Sequence, residues 1–158
     1  YLNEGSNNEI FRIYFHHYSF PFNSGLNSKN HIISAISRDG LNFKIEKGVR
    51  IKQENLNRES YSVYGAEIIR LEDNSYRMYY SGWSDKIRGG IFSAVSKDGL
   101  EWKKEKKIIL DLDRELDCLM LSEPCVTRIS KNSFRMYYEA EDSNKKRRIL
   151  SAVTKLRT

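Results

Sequence analysis

Two cysteines, two prolines and nine glycines are a small share of this chain of 158 residues. Cys118 and Cys125 lie seven residues apart, with no CxxC motif and no histidine at ligand spacing. The sequence therefore predicts neither a disulfide framework nor a zinc site, and we expect both thiols to be reduced and buried or half-buried. The low proline and glycine content excludes collagen-like and low-complexity chains.

Long apolar runs are also missing. The longest hold four or five residues, whereas a membrane-spanning helix needs roughly 20. The opening residues YLNEGSNNE lack the basic and apolar regions of a signal peptide. We predict no membrane partner, and both a cytoplasmic and a secreted location stay open.

The chain carries a formal net charge of +6 at pH 7. Many lysines fall in predicted hairpin tips, such as Lys103, Lys104, Lys145 and Lys146. The arginines form no stripe with interleaved aromatic residues, and no helix that would enter a nucleic-acid groove is indicated. We interpret the charge as a solvated surface and predict no nucleic-acid partner, no metal and no cofactor.

One sequence unit recurs three times. FRIYF from Phe11, YRMYY from Tyr76 and FRMYY from Phe134 align without gaps and start 65 and then 58 residues apart. Each is followed by a second matching segment, which is ISAISRDGLNF, FSAVSKDGLEW or LSAVT. Such repetition over 20 to 50 or more residues is typical of repeat architectures.

Both segments alternate large apolar residues at every second position, which predicts half-buried β-strands. The pairs Asp39-Gly40 and Asp98-Gly99 indicate hairpin turns. A serine stands two residues before each aspartate and can bond the turn backbone. The complete middle unit therefore predicts four strands, at about 64–71, 75–82, 91–96 and 101–110. A weak helical period near 113–121 indicates a short helical turn.

Four-stranded units of this length are typical of β-propeller blades. We predict an all-β chain with about three blades of antiparallel sheet, as a single partial propeller domain over residues 1–158. Its units are about 1–58, 59–115 and 116–158. The first unit lacks most of its innermost strand and the third lacks its outermost strand. Because open edges are adhesive, we expect a longer protein or, alternatively, pairing with another copy through these edges.

The segments RMYY…SAVSKDGLEW and SEPCVTRISKNSFRMYY resemble the five-bladed propeller glycosidases, meaning the arabinanase, xylosidase and invertase-like enzymes and the related mannoside phosphorylases. The resemblance covers nearly the whole chain. It implies a carbohydrate ligand in a central funnel, at the face where innermost strands begin. It also implies three acidic residues on different blades.

Glu123 matches this pattern best, since Glu-Pro-Cys is similar to the Glu-Cys-Pro acid motif of the invertase-like enzymes with two residues exchanged. The resemblance implies a general acid at Glu123. At the equivalent place of the second unit stands Gly65, and Glu67, two residues on, is the nearest carboxylate. By strand alternation Glu67 shares a face with Gly65 and would point into the channel. The remaining acid of the family would precede Tyr1, which predicts that this chain alone is inactive.

Candidate substrate-binding residues follow the second strand of each unit or begin an inner strand. Aromatic faces pack on sugar C–H groups and charged groups bond hydroxyls, so the mixture suits a carbohydrate. Each residue also has an ordinary structural interpretation, as a surface histidine, a blade-packing tryptophan or a solvated loop. The set comprises His16, His17, Tyr18, Tyr64, Trp83, Asp85, Arg88, Glu139, Glu141 and Arg147.

Two functions remain from this reasoning. The first is a carbohydrate-active enzyme, a glycoside hydrolase or phosphorylase acting through paired carboxylates. The alternative is a non-catalytic propeller that binds glycan or protein, which the missing acid at Gly65 favours. A gene remnant without activity is a third interpretation. The sugar, the linkage and the acceptor, water or phosphate, depend on loop shapes.

Overall fold

A computed structural model describes residues 10–18, 30–54, 59–84, 89–112, 115–131 and 133–155. Within these ranges the secondary structure is all β, and no helix that could cross a membrane is present. The ten strands are β1 (Phe11–Tyr18), β2 (Asn30–Ser37), β3 (Lys44–Ile45), β4 (Ser62–Arg70), β5 (Tyr76–Trp83), β6 (Ile91–Ser96), β7 (Lys103–Lys104), β8 (Met120–Ser130), β9 (Ser133–Glu141) and β10 (Arg147–Lys155).

The strands form three antiparallel sheets in chain order, which we call sheet 1 (β1-β2-β3), sheet 2 (β4-β5-β6-β7) and sheet 3 (β8-β9-β10). Sheet 2 has all four strands. Sheet 1 has no strand beside β1 on the inner side, and sheet 3 has none beyond β10, among the described residues. Among the described residues, sheet 1 therefore lacks an innermost strand and sheet 3 lacks an outermost strand, as the repeat predicts.

Two details of the prediction are wrong. The fourth strand of the middle unit was expected over 101–110, but β7 pairs for only two residues, with a further single bridge between Ile91 and Leu110. The segment after Trp102 therefore follows the sheet edge without regular pairing. Residues 115–119 form bends where a helical turn was expected.

Two hydrophobic clusters fill the spaces between the sheets. Alternate residues of β5 point to opposite sides, so Met78 and Tyr80 pack toward Ile32 and Ile51 of sheet 1. Tyr79 of the same strand packs toward sheet 3. Since each sheet is apolar on the faces it shares with a neighbour, stacking is the means by which these small sheets form a core.

Buried serines bind an ion pair that is repeated in sheets 1 and 2. Ser93 Oγ donates to Glu105 at 2.6 Å, and Glu105 pairs with Arg77 at 3.1 Å. Sheet 1 repeats this arrangement with Ser34, Glu46 and Arg12. In sheets 1 and 2 this serine therefore helps to fix the outer segment against the second strand.

Candidate functional site

One edge of the stacked sheets gathers most of the predicted site residues. The inner strands β4 and β8 begin at this edge. Three residue pairs lie here: Tyr18 of β1 with Asn30 of β2, Ser62 of β4 with Trp83 of β5, and Met120 of β8 with Glu141 of β9. We call it the funnel edge.

Glu123 lies at a bulge in β8, where the register with β9 shifts between Ser122 and Cys125. Its backbone has a positive φ of 50°, an uncommon conformation for a residue other than glycine. The Glu123 N–H donates to Ser81 Oγ at 2.9 Å, and Ser81 is fully buried in β5. Sheet 2 therefore holds the backbone that presents Glu123.

Gly65 lies at the matching bulge of β4, with φ of 59°. A Cβ added there would lie 2.8 Å from Glu123 Oε2, which is closer than real Cβ atoms come to another heavy atom, and a tight 3.2 Å from Ser81 Oγ. The carboxylate of Glu123 thus packs against Gly65 at the place where any other residue would have its Cβ. The sequence indicates a missing acid at this position, and the structure shows that the carboxylate of Glu123, from the next sheet, packs against it.

The environment of Glu123 favours its protonated form. Desolvation by the surrounding protein raises the pKa of the carboxyl, the positive charge of His16 lowers it, and the charge of Glu139 raises it, with a net upward shift. The side chain nonetheless keeps an exposed surface. A carboxyl group with a raised pKa that a ligand can reach is suited to donate a proton.

The strand alternation from which the orientation of Glu67 is predicted is interrupted by a bulge. Tyr64 pairs with Ser81 and Glu67 pairs with Tyr79, so Gly65 and Ala66 together stand opposite a single residue of β5 and the alternation is broken. Glu67 Oε1 accepts a hydrogen bond from the Val126 N–H at 3.2 Å, and burial raises the pKa of Glu67. Glu67 therefore links β4 to β8.

The acidic residues at the end of β9 share one arginine. Arg147 Nε donates to Glu141 Oε2 at 2.9 Å, and Arg147 Nη1 donates to Glu139 Oε1 at 3.3 Å. Ser122 Oγ donates to the other oxygen of Glu139 at 3.3 Å. The arginine is largely exposed, with 62% of its side-chain surface accessible, so a ligand would find a charged, solvent-facing group here.

The two histidines of β1 lie on opposite faces of the strand. The His16 ring meets Tyr64 edge to face, with centroids 6.2 Å apart, whereas His17 lies 5.4 Å from His31. His16, whose charge lowers the pKa of Glu123, is therefore the histidine on the Glu123 side of the strand. Trp83 is half-buried at the end of β5, with its ring 6.1 Å from that of Tyr61, an arrangement that suits either packing or a sugar contact.

Three candidates have no side-chain description. Asp85 and Arg88 lie outside the described residues, and for Tyr18 the structure describes only the strand position. Their proposed contacts with substrate stay predictions.

Ser81 and Ser122 were not found from the sequence, since a serine in a strand carries no signal of its own. Another expectation is wrong: Cys125 is exposed, although Cys118 is half-buried and both are free thiols. Asp142 is buried and caps its turn by accepting from the Asn144 and Lys146 N–H groups.

No family model matches the sequence, and no curated protein matches it. Solved structures do. A glycoside hydrolase aligns with a TM-score of 0.74 at 17% identity, over 92% of this chain and 41% of its own. The GH32 β-fructofuranosidase of Bombyx mori aligns with a TM-score of 0.71 at 12% identity, over 94% of this chain and 32% of its own. A family 117 glycoside hydrolase of the marine bacterium Zobellia galactanivorans aligns with a TM-score of 0.66 at 19% identity, over 79% of this chain and 38% of its own.

These neighbours are five-bladed β-propeller glycosidases. The predicted fold is confirmed: the chain has the architecture of part of such a propeller. It spans less than half the length of each of these neighbours. At identities below 20% the likeness establishes the fold, and the activity has to be argued from the residues.

Proposed function

We propose that this chain contributes the funnel edge of a carbohydrate-active propeller, a glycoside hydrolase or phosphorylase in which Glu123 is the general acid. The observation that carries this proposal is the way Glu123 is held. Two sheets cooperate to keep it in a left-handed backbone conformation above Gly65, in surroundings that raise its pKa. A carboxyl group with a strained backbone and a raised pKa at a ligand-accessible edge is characteristic of a functional site.

Glycoside hydrolysis requires two carboxyl groups that flank the bond, about 5 to 9.5 Å apart depending on mechanism. Glu67 is engaged between β4 and β8, which suits a role in setting the electrostatics of the site. We propose that the base or nucleophile comes from outside this chain, so the 158 residues alone have no turnover.

The remaining funnel-edge residues would bind the sugar. His16 and Tyr64 lie beside Glu123, and Arg147 with its two glutamates offers donors and acceptors for hydroxyl groups. Arg147, Arg148 or the predicted Arg88 would supply the positive charge that a phosphorylase needs. We propose carbohydrate as the ligand and one propeller domain with units at about 1–58, 59–115 and 116–158.

A non-catalytic glycan-binding propeller is the second candidate. Two observations favour it. Gly65 supplies no carboxyl group where the resemblance implies one on the inner strand of the second unit, and Glu139 and Glu141 are both paired with Arg147. A binding protein needs the shape of this edge but no proton donor.

The leaving-group dependence of Glu123→Gln in the natural protein that carries these residues separates the two candidates. Loss of a general acid should slow the cleavage of aryl glycosides with poor leaving groups by about 10²–10⁴-fold. Cleavage of aryl glycosides with the best leaving groups should slow much less. Glu101→Gln in the outer turn is the matched control. Equal rates across all leaving groups would remove Glu123 as the acid, and sugar binding without any turnover would favour the second candidate.

A further inference from the structure

One lysine of sheet 2 fixes the connection that leads from sheet 1 into sheet 2. Lys104 of β7 donates from Nζ to the carbonyl oxygen of Lys52 at 2.6 Å and to Glu59 Oε1 at 2.7 Å. Glu54 Oε1 lies 3.6 Å from the same nitrogen. Because 16% of the Lys104 side-chain surface is accessible, water screens these contacts less than it screens an exposed ion pair. The outermost strand of sheet 2 is therefore tied to the chain that enters its innermost strand.

Glu59 is the buried partner of this lysine. The residue is 6% exposed, and its Oε2 has no hydrogen-bond partner among the described residues. Burial raises the pKa of Glu59, and the hydrogen bond and charge of Lys104 oppose this shift. A buried carboxylate that loses its cation becomes protonated or moves toward water. Removal of the Lys104 charge should therefore release Glu59 from its present position.

Glu59 lies close to an aromatic pair at the funnel edge. Two residues further on, the Tyr61 N–H donates to the carbonyl oxygen of Trp83 at 2.9 Å, and the two rings lie 6.1 Å apart. A Cβ built on Gly82 would lie 3.0 Å from Glu59 Cβ, so Glu59 also packs on the backbone just before Trp83. A displacement of Glu59 would therefore shift Trp83 by two short routes.

The repeat itself does not require a lysine at this position. Ile45 occupies the equivalent place in sheet 1, where it pairs with Ala35 and is 71% accessible. Lys104 pairs with Ala94 in the same way. The two-residue outer strand thus forms with an apolar side chain as well as with a lysine, and the lysine has a role of its own at the joint between the sheets.

We propose that Lys104 is a positioning residue of the funnel edge, which acts through Glu59 and Tyr61 to fix the orientation of the Trp83 ring. Its bearing on sugar binding rests on the proposed function, in which Trp83 is a candidate sugar contact. An aromatic ring packs on sugar C–H groups through its face. A turned or shifted Trp83 ring should therefore bind the same sugar more weakly.

The orientation of Trp83 can be measured without any ligand. In the natural protein that carries these residues, fluorotryptophan gives each tryptophan its own fluorine NMR resonance, and Trp83→Phe identifies that of Trp83. We expect Lys104→Met to shift this resonance, and Glu59→Gln, which keeps the side-chain volume, to shift it in the same direction. Lys103→Met is the matched control, because Lys103 is exposed on the same short strand, and it should leave the resonance unchanged.

Sugar affinity is the second measurement, with xylo-, arabino- and fructo-oligosaccharides as probes. Lys104→Met should weaken binding of those that the wild type binds by about tenfold, and Lys103→Met should not. If the wild type binds none of these probes, the failure lies with the proposed function, and the fluorine resonance still decides the role of Lys104.

Two outcomes would overturn the proposal. The first is a Trp83 resonance that stays at its wild-type position in folded Lys104→Met and Glu59→Gln, with a lower melting temperature as their sole effect. The ion pair would then serve stability alone. The second is a shifted resonance with unchanged affinity for a sugar that the wild type binds, because the orientation of the ring would then have no bearing on binding.

Discussion

Gly65→Ala tests whether the packing of the Glu123 carboxylate against Gly65 raises the pKa of Glu123. The new Cβ would lie 2.8 Å from Glu123 Oε2 and 3.2 Å from its Cδ, so the carboxylate must shift, and we expect it to move toward solvent because Glu123 already has exposed surface. The backbone cost of a non-glycine residue at positive φ is about 1–2 kcal/mol. We expect the free energy of unfolding to fall by about this amount.

The more informative effect concerns the pKa of Glu123. Desolvation is the main cause of its upward shift, and a carboxylate pushed into water loses that contribution. The pKa should therefore fall toward the ordinary glutamate value, a change that NMR titration of the side-chain carboxyl measures directly.

Gly48→Ala supplies the control, because Gly48 also has a positive φ, of 96°, and a Cβ there would meet only Arg50 Nη1 at 3.8 Å. It should lower stability and leave the titration of Glu123 unchanged. If Gly65→Ala left the pKa of Glu123 at its wild-type value, the carboxylate would not rest on Gly65 and this reasoning would be refuted.

Two further predictions concern the contacts between sheets 2 and 3. Ser81→Ala removes the acceptor of the Glu123 N–H and should lower the free energy of unfolding in urea by about 1–3 kcal/mol, while Ser143→Ala in an exposed turn should change it by less than about 0.5 kcal/mol; equal effects would contradict the role of Ser81. Glu67→Gln keeps an oxygen for the Val126 N–H. Because burial raises the folded pKa of Glu67 above its unfolded value, ionisation destabilises the fold as pH rises through this interval. The variant should therefore gain stability relative to wild type at pH 7, and the gain should disappear below the ordinary glutamate pKa of 4.5. A gain that persists unchanged in acid would contradict this account.

Architecture was accessible from the sequence because each repeat carries its own local signals. Alternation identified the strands, and Ser-x-Asp-Gly identified turns whose hydrogen bonds are the same in sheets 1 and 2. Such signals act over a few residues, so they survive without knowledge of the tertiary contacts. The outer segment after Trp102 was extended too far, because its alternating residues follow the sheet edge with little backbone pairing.

The geometry of the site was less accessible, since it depends on contacts between sheets. Bulges in β4 and β8 shift the register by one residue, which cancels the alternation used to place Glu67. Gly65 was interpreted as an absent acid because its neighbour Glu123 is 58 positions away in sequence. Glu123 itself was found from its motif, and its surroundings, including Ser81, only from the structure.

The most direct test of the account is where a sugar binds. Backbone NMR of the chain titrated with plant and bacterial oligosaccharides should show shifts confined to the funnel edge, at His16, Tyr64 and Glu123, while the outer turn at Asp98 stays unchanged. Shifts concentrated at the outer turns, or none at the funnel edge with any glycan that the natural protein binds, would contradict the assignment of this edge as the carbohydrate site.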